Sequence, residues 1–134
     1  MVLTKEEQQD RAELELTWSV FSQILVISGN LSFGDSGVKI AGRAFEIFKL
    51  ATRVGYKVGR EPSVVGVAGA SVYIASVLEA NRRTQNEIAI VAKTSENVLR
   101  ARAAELAICA NVAPDWGGGR FPKHDPKRVP SLPP

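Results

Sequence analysis

Ser95, Asn97 and Arg100 are the side chains in this sequence best suited to a specific chemistry, hydrogen bonding to the edges of nucleic acid bases. Arginine can donate two bonds to guanine, and asparagine can bond adenine in two places, so each is competent to read a base in the major groove. Arg82, Arg83 and Lys93 suit a different role, in which they would meet phosphates and give affinity and salt dependence without sequence choice. Arg102 completes this candidate set.

These residues need two short helices to hold them. Thr84-Gln85-Asn86-Glu87 has the spacing of a capping box and predicts a helix to about Ala92. Thr94 or Ser95 can cap a second helix running to about Cys109. Ile88, Val91 and Ala92 form an apolar stripe on the first, and Val98, Leu99, Ala103 and Leu106 on the second. Helical rotation then carries Arg100 away from Val98 and Leu99, with Ser95 and Asn97 in the first turn. That is the layout of a helix-turn-helix at about 84–109, whose second helix presents its N-terminal residues to a groove. Spacing leaves another assignment open. Arg100 and Arg102 can pair with Glu96 and Glu105 along one solvated face, a gain of only a few tenths of a kcal/mol.

Three longer helices precede this unit. Thr4 and Glu7 open the first, about 4–28, with Leu14, Trp18, Phe21 and Leu25 as its expected core stripe. Asp35 or Ser36 can cap the second, which carries Ile40, Ala44, Phe45 and Phe48 and stops at Gly55. The third is predicted from Pro62 to about Ala80. Gly66, Ala68, Gly69, Ala70, Ser71, Ala75 and Ser76 leave it little bulk. Glycine in a helix costs about 1 kcal/mol relative to alanine, so a run of small residues suggests a central helix approached closely by the others. The fold class is all-α, a compact bundle of about five helices.

The stretch 73–106 resembles the second cyclin-like repeat of archaeal transcription factor B and its eukaryotic counterpart TFIIB. Tyr73, Ala75, Ser76, Arg83, Thr84, Gln85, Glu87, Ile88, Ala89, Val91, Ala92, Ser95, Glu96, Arg100 and Arg102 match that family's pattern without a gap. Gly59-Arg60-x-Pro62 is similar to the turn before its third helix. The resemblance implies a five-helix cyclin-like fold whose last two helices enter the DNA major groove beside a promoter element. It implies double-stranded DNA as a partner, with TATA-binding protein or RNA polymerase as further candidates. It places Ser95, Asn97 and Arg100 in the reading part of the last helix. The chain departs from the pattern at Lys93, where a turn glycine is usual, at Asn97, a commonly apolar position, and at Ala101, Ala103 and Ala104. A full family member carries two repeats and an N-terminal zinc ribbon; these 134 residues have room for one repeat and lack the ribbon's cysteines.

Other chemistry finds little support. Cys109 is the only cysteine and reads as a small buried apolar group; His124 is the only histidine and sits among prolines. No enzymatic activity, metal or cofactor is expected. Gly117-Gly118-Gly119 lacks the lysine and helix of a phosphate loop. Trp18 reads as core, and Trp116 begins the tail. Hydrophobic residues make up 45% and charged residues 23%, an ordinary globular balance, and the net charge of +3 permits nucleic acid binding. Acids concentrate early, at Glu6, Glu7, Asp10, Glu13 and Glu15, while Arg120, Lys123, Lys127 and Arg128 lie late. The early acids read as a solvated face or an acidic docking surface. The expected organisation is a helical domain over 1–113 and a flexible Pro/Gly-rich basic tail over 114–134. No stretch is apolar enough for a membrane span. The expected location is cytoplasmic and nucleoid-associated, or the host cytoplasm for a virus, since an archaeal or archaeal-virus origin suits the resemblance.

The function these observations favour is a DNA-binding, transcription factor B-like protein that modulates transcription through its helix-turn-helix. The alternative is a cyclin-fold module that binds a protein of the transcription machinery without reading DNA. Homodimerisation is a third expectation, because one repeat could rebuild the two-repeat geometry as a pair.

Overall fold

The computed structural model describes residues 2–58 and 63–112. Pro62 and the tail expected from 114 lie outside them. Five helices follow in order: α1 (Lys5–Asn30), α2 (Gly37–Arg53), α3 (Ser63–Leu78), α4 (Gln85–Ala92) and α5 (Glu96–Cys109), with no strand among the described residues. The all-α bundle expected from the sequence is therefore the observed architecture.

Helix ends follow local chemistry. The Thr4 hydroxyl accepts from Glu7 N–H at the start of α1. At α4 both halves of the capping box form, Thr84 with the Glu87 N–H and the Glu87 carboxylate with the Thr84 N–H. The Ser95 hydroxyl accepts from Val98 N–H, so Ser95, not Thr94, caps α5. Helix α2 differs from expectation: neither Asp35 nor Ser36 caps it with a side chain. A 3₁₀ turn, Gly34–Ser36, runs straight into it and supplies the preceding backbone instead. Gly55, at φ +97°, follows its end as expected.

Helix α3 is the centre of the bundle and touches α1, α2, α4 and α5. Its small residues allow this approach. A Cβ on Gly66 would lie 2.8 Å from Val98 Cγ1, and one on Gly69 would lie 3.0 Å from the Ala92 Cβ and 3.3 Å from Leu99 Cδ1. The two glycines therefore seat α4 and α5 directly on the α3 backbone. Gly69→Ala should gain about 1 kcal/mol of helix propensity. It also adds a methyl against Ala92 Cβ, which has no rotamer by which to retreat, and overpacking costs about 1–3 kcal/mol. The expected net result is a destabilisation on the order of 1 kcal/mol, read by urea unfolding.

The first helix is the one whose buried face the sequence pattern misplaced. Val20, Ile24, Ile27 and Leu31 are buried, whereas Leu14 and Trp18 are each 58% exposed and Leu25 is 49% exposed. Trp18 is therefore not core. Two apolar stripes share this helix, each at spacing 4-3-4 and set about 120° apart at 100° per residue. The bundle has room for one, and takes the stripe that begins where α1 first reaches it. Residues 5–15 are exposed throughout.

Candidate nucleic-acid interface

The α4–α5 unit forms as two helices joined by a tight turn at Lys93, Thr94 and Ser95. Lys93 takes the left-handed conformation, φ +60° and ψ +44°, the position where glycine is the unstrained choice. Its N–H and that of Thr94 bond back to Ile90 and Ala89 carbonyls. Ile88, Ala92, Leu99, Ala103 and Leu106 are buried and fasten both helices to α3. The outer edge is what remains: Asn86, Ile90, Lys93, Ser95 and Asn97 are exposed.

Arg100 stands on that edge with 37% of its side chain exposed. It is braced, not loose. Nη1 donates to Gln85 Oε1 at 3.0 Å, Nη2 donates to Asn97 Oδ1, and Glu96 lies 3.9 Å away. Gln85 in turn donates through Nε2 to the Tyr73 hydroxyl of α3 at 3.3 Å. A hydrogen-bonded line therefore runs from the central helix to the guanidinium. The spacing did not single out Gln85, because the contact spans fifteen residues and two helices, although its match to the family pattern was visible.

The other cations divide. Lys93 and Arg82 are exposed. Arg83 is held within the molecule: it donates to Asn81 Oδ1 and the Ser32 carbonyl, both at 3.2 Å, with its guanidinium 5.0 Å from the Phe33 ring centre. It pins the loop after α1 to the approach to α4. Arg102 turns inward and keeps 14% of its side chain exposed. It lies 3.4 Å from the wholly buried Glu105 carboxylate, which also accepts from the Tyr56 hydroxyl at 2.7 Å. As placed, Arg83 and Arg102 brace the fold, while Ser95 combines its cap with a position on the open edge. Ser95, Asn97 and Arg100 do come together as the spacing implied.

Cys109, the last residue of α5, is buried. Burial pushes its thiol above the usual range, and the nearby Glu105 charge pushes the same way. The thiolate is the reactive form, so iodoacetamide at mildly alkaline pH should label the folded chain at least tenfold more slowly (roughly) than the unfolded one. Among the described residues, no three His, Cys, Asp or Glu side chains are grouped to hold a metal ion. No helix among them is long and apolar enough to cross a membrane.

The arrangement has known counterparts. The family model described as "Transcription factor TFIIB repeat" matches residues 17–108, which takes in the second half of α1 and all of α2 to α4, with α5 nearly to its end. The chain belongs to the TFIIB repeat family. A transcription initiation factor IIB of Methanopyrus kandleri is 46% identical over 67 residues, which is 50% of this chain and 21% of that protein. Factors of the same name from Pyrococcus horikoshii and Pyrobaculum islandicum are 44% and 38% identical over 68 and 74 residues. These segments amount to 51% and 55% of this chain and 22% of each factor. The matched segment is thus about a fifth of the relatives' length.

Proposed function

We propose that this TFIIB repeat protein binds double-stranded DNA through α4 and α5 and modulates transcription. The observation that carries the reading is the braced Arg100: a guanidinium fixed by Gln85 and Asn97 at the rim of an otherwise core-bound helix pair. A pre-oriented donor loses less conformational entropy on meeting a base edge than a free one. Asn97 and Ser95 share that edge, and Lys93 and Arg82 flank it as the phosphate-facing cations. Arg83 and Arg102 support the unit from within.

The test is selection of bound duplexes from a random pool at two ionic strengths. Enrichment of a preferred site, with affinity falling as salt rises, is the expected outcome. A pool that stays random at both ionic strengths, with no duplex shifted, would overturn the reading.

Lys93 separates the architectural from the electrostatic contribution of the turn. Lys93→Gly removes a left-handed side chain and should stabilise the fold by about 1 kcal/mol. It also removes one cation, so the salt slope of duplex binding should flatten by about one unit. A variant that is more stable yet less salt-dependent, measured by urea unfolding and by titration at several salt concentrations, is the expected combination.

Ile90 favours a second reading. It is 68% exposed on α4 beside the same edge, a large apolar side chain better matched to a protein surface than to phosphates. In this reading the repeat grips a protein of the transcription machinery, for which TATA-binding protein and RNA polymerase are the candidates the family suggests. Capture of either by the wild-type chain, lost in Ile90→Asp and accompanied by no duplex shift at low salt, would favour it over DNA reading.

A further inference from the structure

We infer that the outward stripe of α1 is a self-association surface, on which two copies of this chain pair their first helices antiparallel. The inference is independent of DNA binding. Leu14, Trp18 and Leu25 are exposed, and Phe21 between them is half-buried. Their spacing, 4-3-4, is that of the contact seam between paired helices. Phe21 leans on Phe45 of α2, while Leu14, Trp18 and Leu25 stay exposed among the described residues.

Three features identify a second copy as the occupant and fix its direction. The stripe is palindromic about the point between residues 19 and 20. Turned end for end, Leu14 falls opposite Leu25 and Trp18 opposite Phe21, so aliphatic meets aliphatic and ring meets ring. A twofold axis requires such self-complementarity. The rings are already arranged for edge contacts: Trp18 and Phe21 lie 5.9 Å apart at 70°, and Phe21 meets Phe45 of α2 at 4.3 Å with the ring planes tilted 52°.

Charge supplies the second feature. The N-terminal half of α1 holds Glu6, Glu7, Asp10, Glu13 and Glu15 against Lys5 and Arg11, whereas residues 19–30 carry no charge. Parallel pairing would stack acid on acid. Antiparallel pairing lays each acidic half along an uncharged one.

The third feature is the end of the stripe. Leu25 opens onto a shallow groove of about 310 Å³ lined also by Gly29, Gly37, Val38 and Ala41, with Val38 89% exposed. In the antiparallel register this groove receives the partner's Leu14. Pairing would also support residues 5–15, three turns of helix that stand exposed in one chain, a length marginal by itself in water.

Sedimentation equilibrium of the full chain tests the inference. The seam is short, so a dimer with a dissociation constant in the micromolar range is expected. Trp18→Glu should raise that constant at least about tenfold while leaving the unfolding midpoint of the dilute, monomeric chain unchanged. Leu14→Glu, farther from the bundle, gives the same readout should the first variant fold poorly. Direction is read by oxidative cross-linking: Leu14→Cys chains should couple to Leu25→Cys chains, and neither efficiently to itself. A chain that stays monomeric across the concentration range would overturn the inference, as would Leu14→Cys chains coupling preferentially to one another. Either result would leave the groove and stripe to a different occupant.

Discussion

Glu105→Ala should lower the stability of the bundle by about 3 kcal/mol, the largest single effect expected in this chain. Glu105 is wholly buried on α5, where it accepts from Tyr56 beyond the end of α2 and faces the guanidinium of Arg102. Deleting its carboxylate leaves Arg102, itself mostly enclosed, without its countercharge, and leaves the Tyr56 hydroxyl without this acceptor. Losing one member of a buried pair is far more damaging than losing both. Glu105→Leu combined with Arg102→Met should therefore recover most of the loss. Thermal unfolding provides the check: a fall in midpoint of roughly 10 °C for the single variant, with substantial recovery in the double. An equal or larger fall in the double variant would mean that the pair contributes net attraction well beyond its desolvation cost.

Arg100→Ala should have the second largest effect, on binding rather than folding. On the proposed reading, removing a bidentate contact to a base costs about 1–3 kcal/mol of discrimination, or roughly fivefold to 150-fold between the preferred duplex and one changed at that base. Stability should move little, because the bonds to Gln85 and Asn97 are made at a partly exposed edge. Gln85→Leu adds a finer test. It keeps the arginine but removes its brace, so discrimination should fall by less than in Arg100→Ala and the salt slope should stay unchanged. Equal weakening of Arg100→Ala on every duplex would show that the guanidinium meets phosphate and not a base.

Much of this was legible in the residues alone. Capping at Thr4, Thr84 and Ser95 follows from short polar side chains whose oxygens reach N–H groups two or three positions on, a purely local matter. The smallness of α3 likewise foretold its central place, since a helix accepts so many glycines only where close approach repays them. The misjudged face of α1 has a physical cause: two stripes of equal periodicity give no local signal as to which meets the bundle. The fates of the arginines were hidden for a similar reason. Arg102 pairs with Glu105, the neighbour that the spacing offered, and what stayed hidden is that this carboxylate is buried against distant Tyr56; Arg83 turns inward because distant Ser32 and Phe33 receive it. Arg100 stays at the rim because Gln85, on another helix, catches it there.

The contact at Gly66 and Gly69 bears on how such a protein could change its target over time. The pitch of α5 relative to the rest is set by two missing methyl groups on the opposite side from the edge offered to a ligand. One added carbon there would tilt the whole row of donors without altering any of them. On the proposed reading, preference for a different sequence can thus arise from the rear of the domain, at glycines buried against α4 and α5.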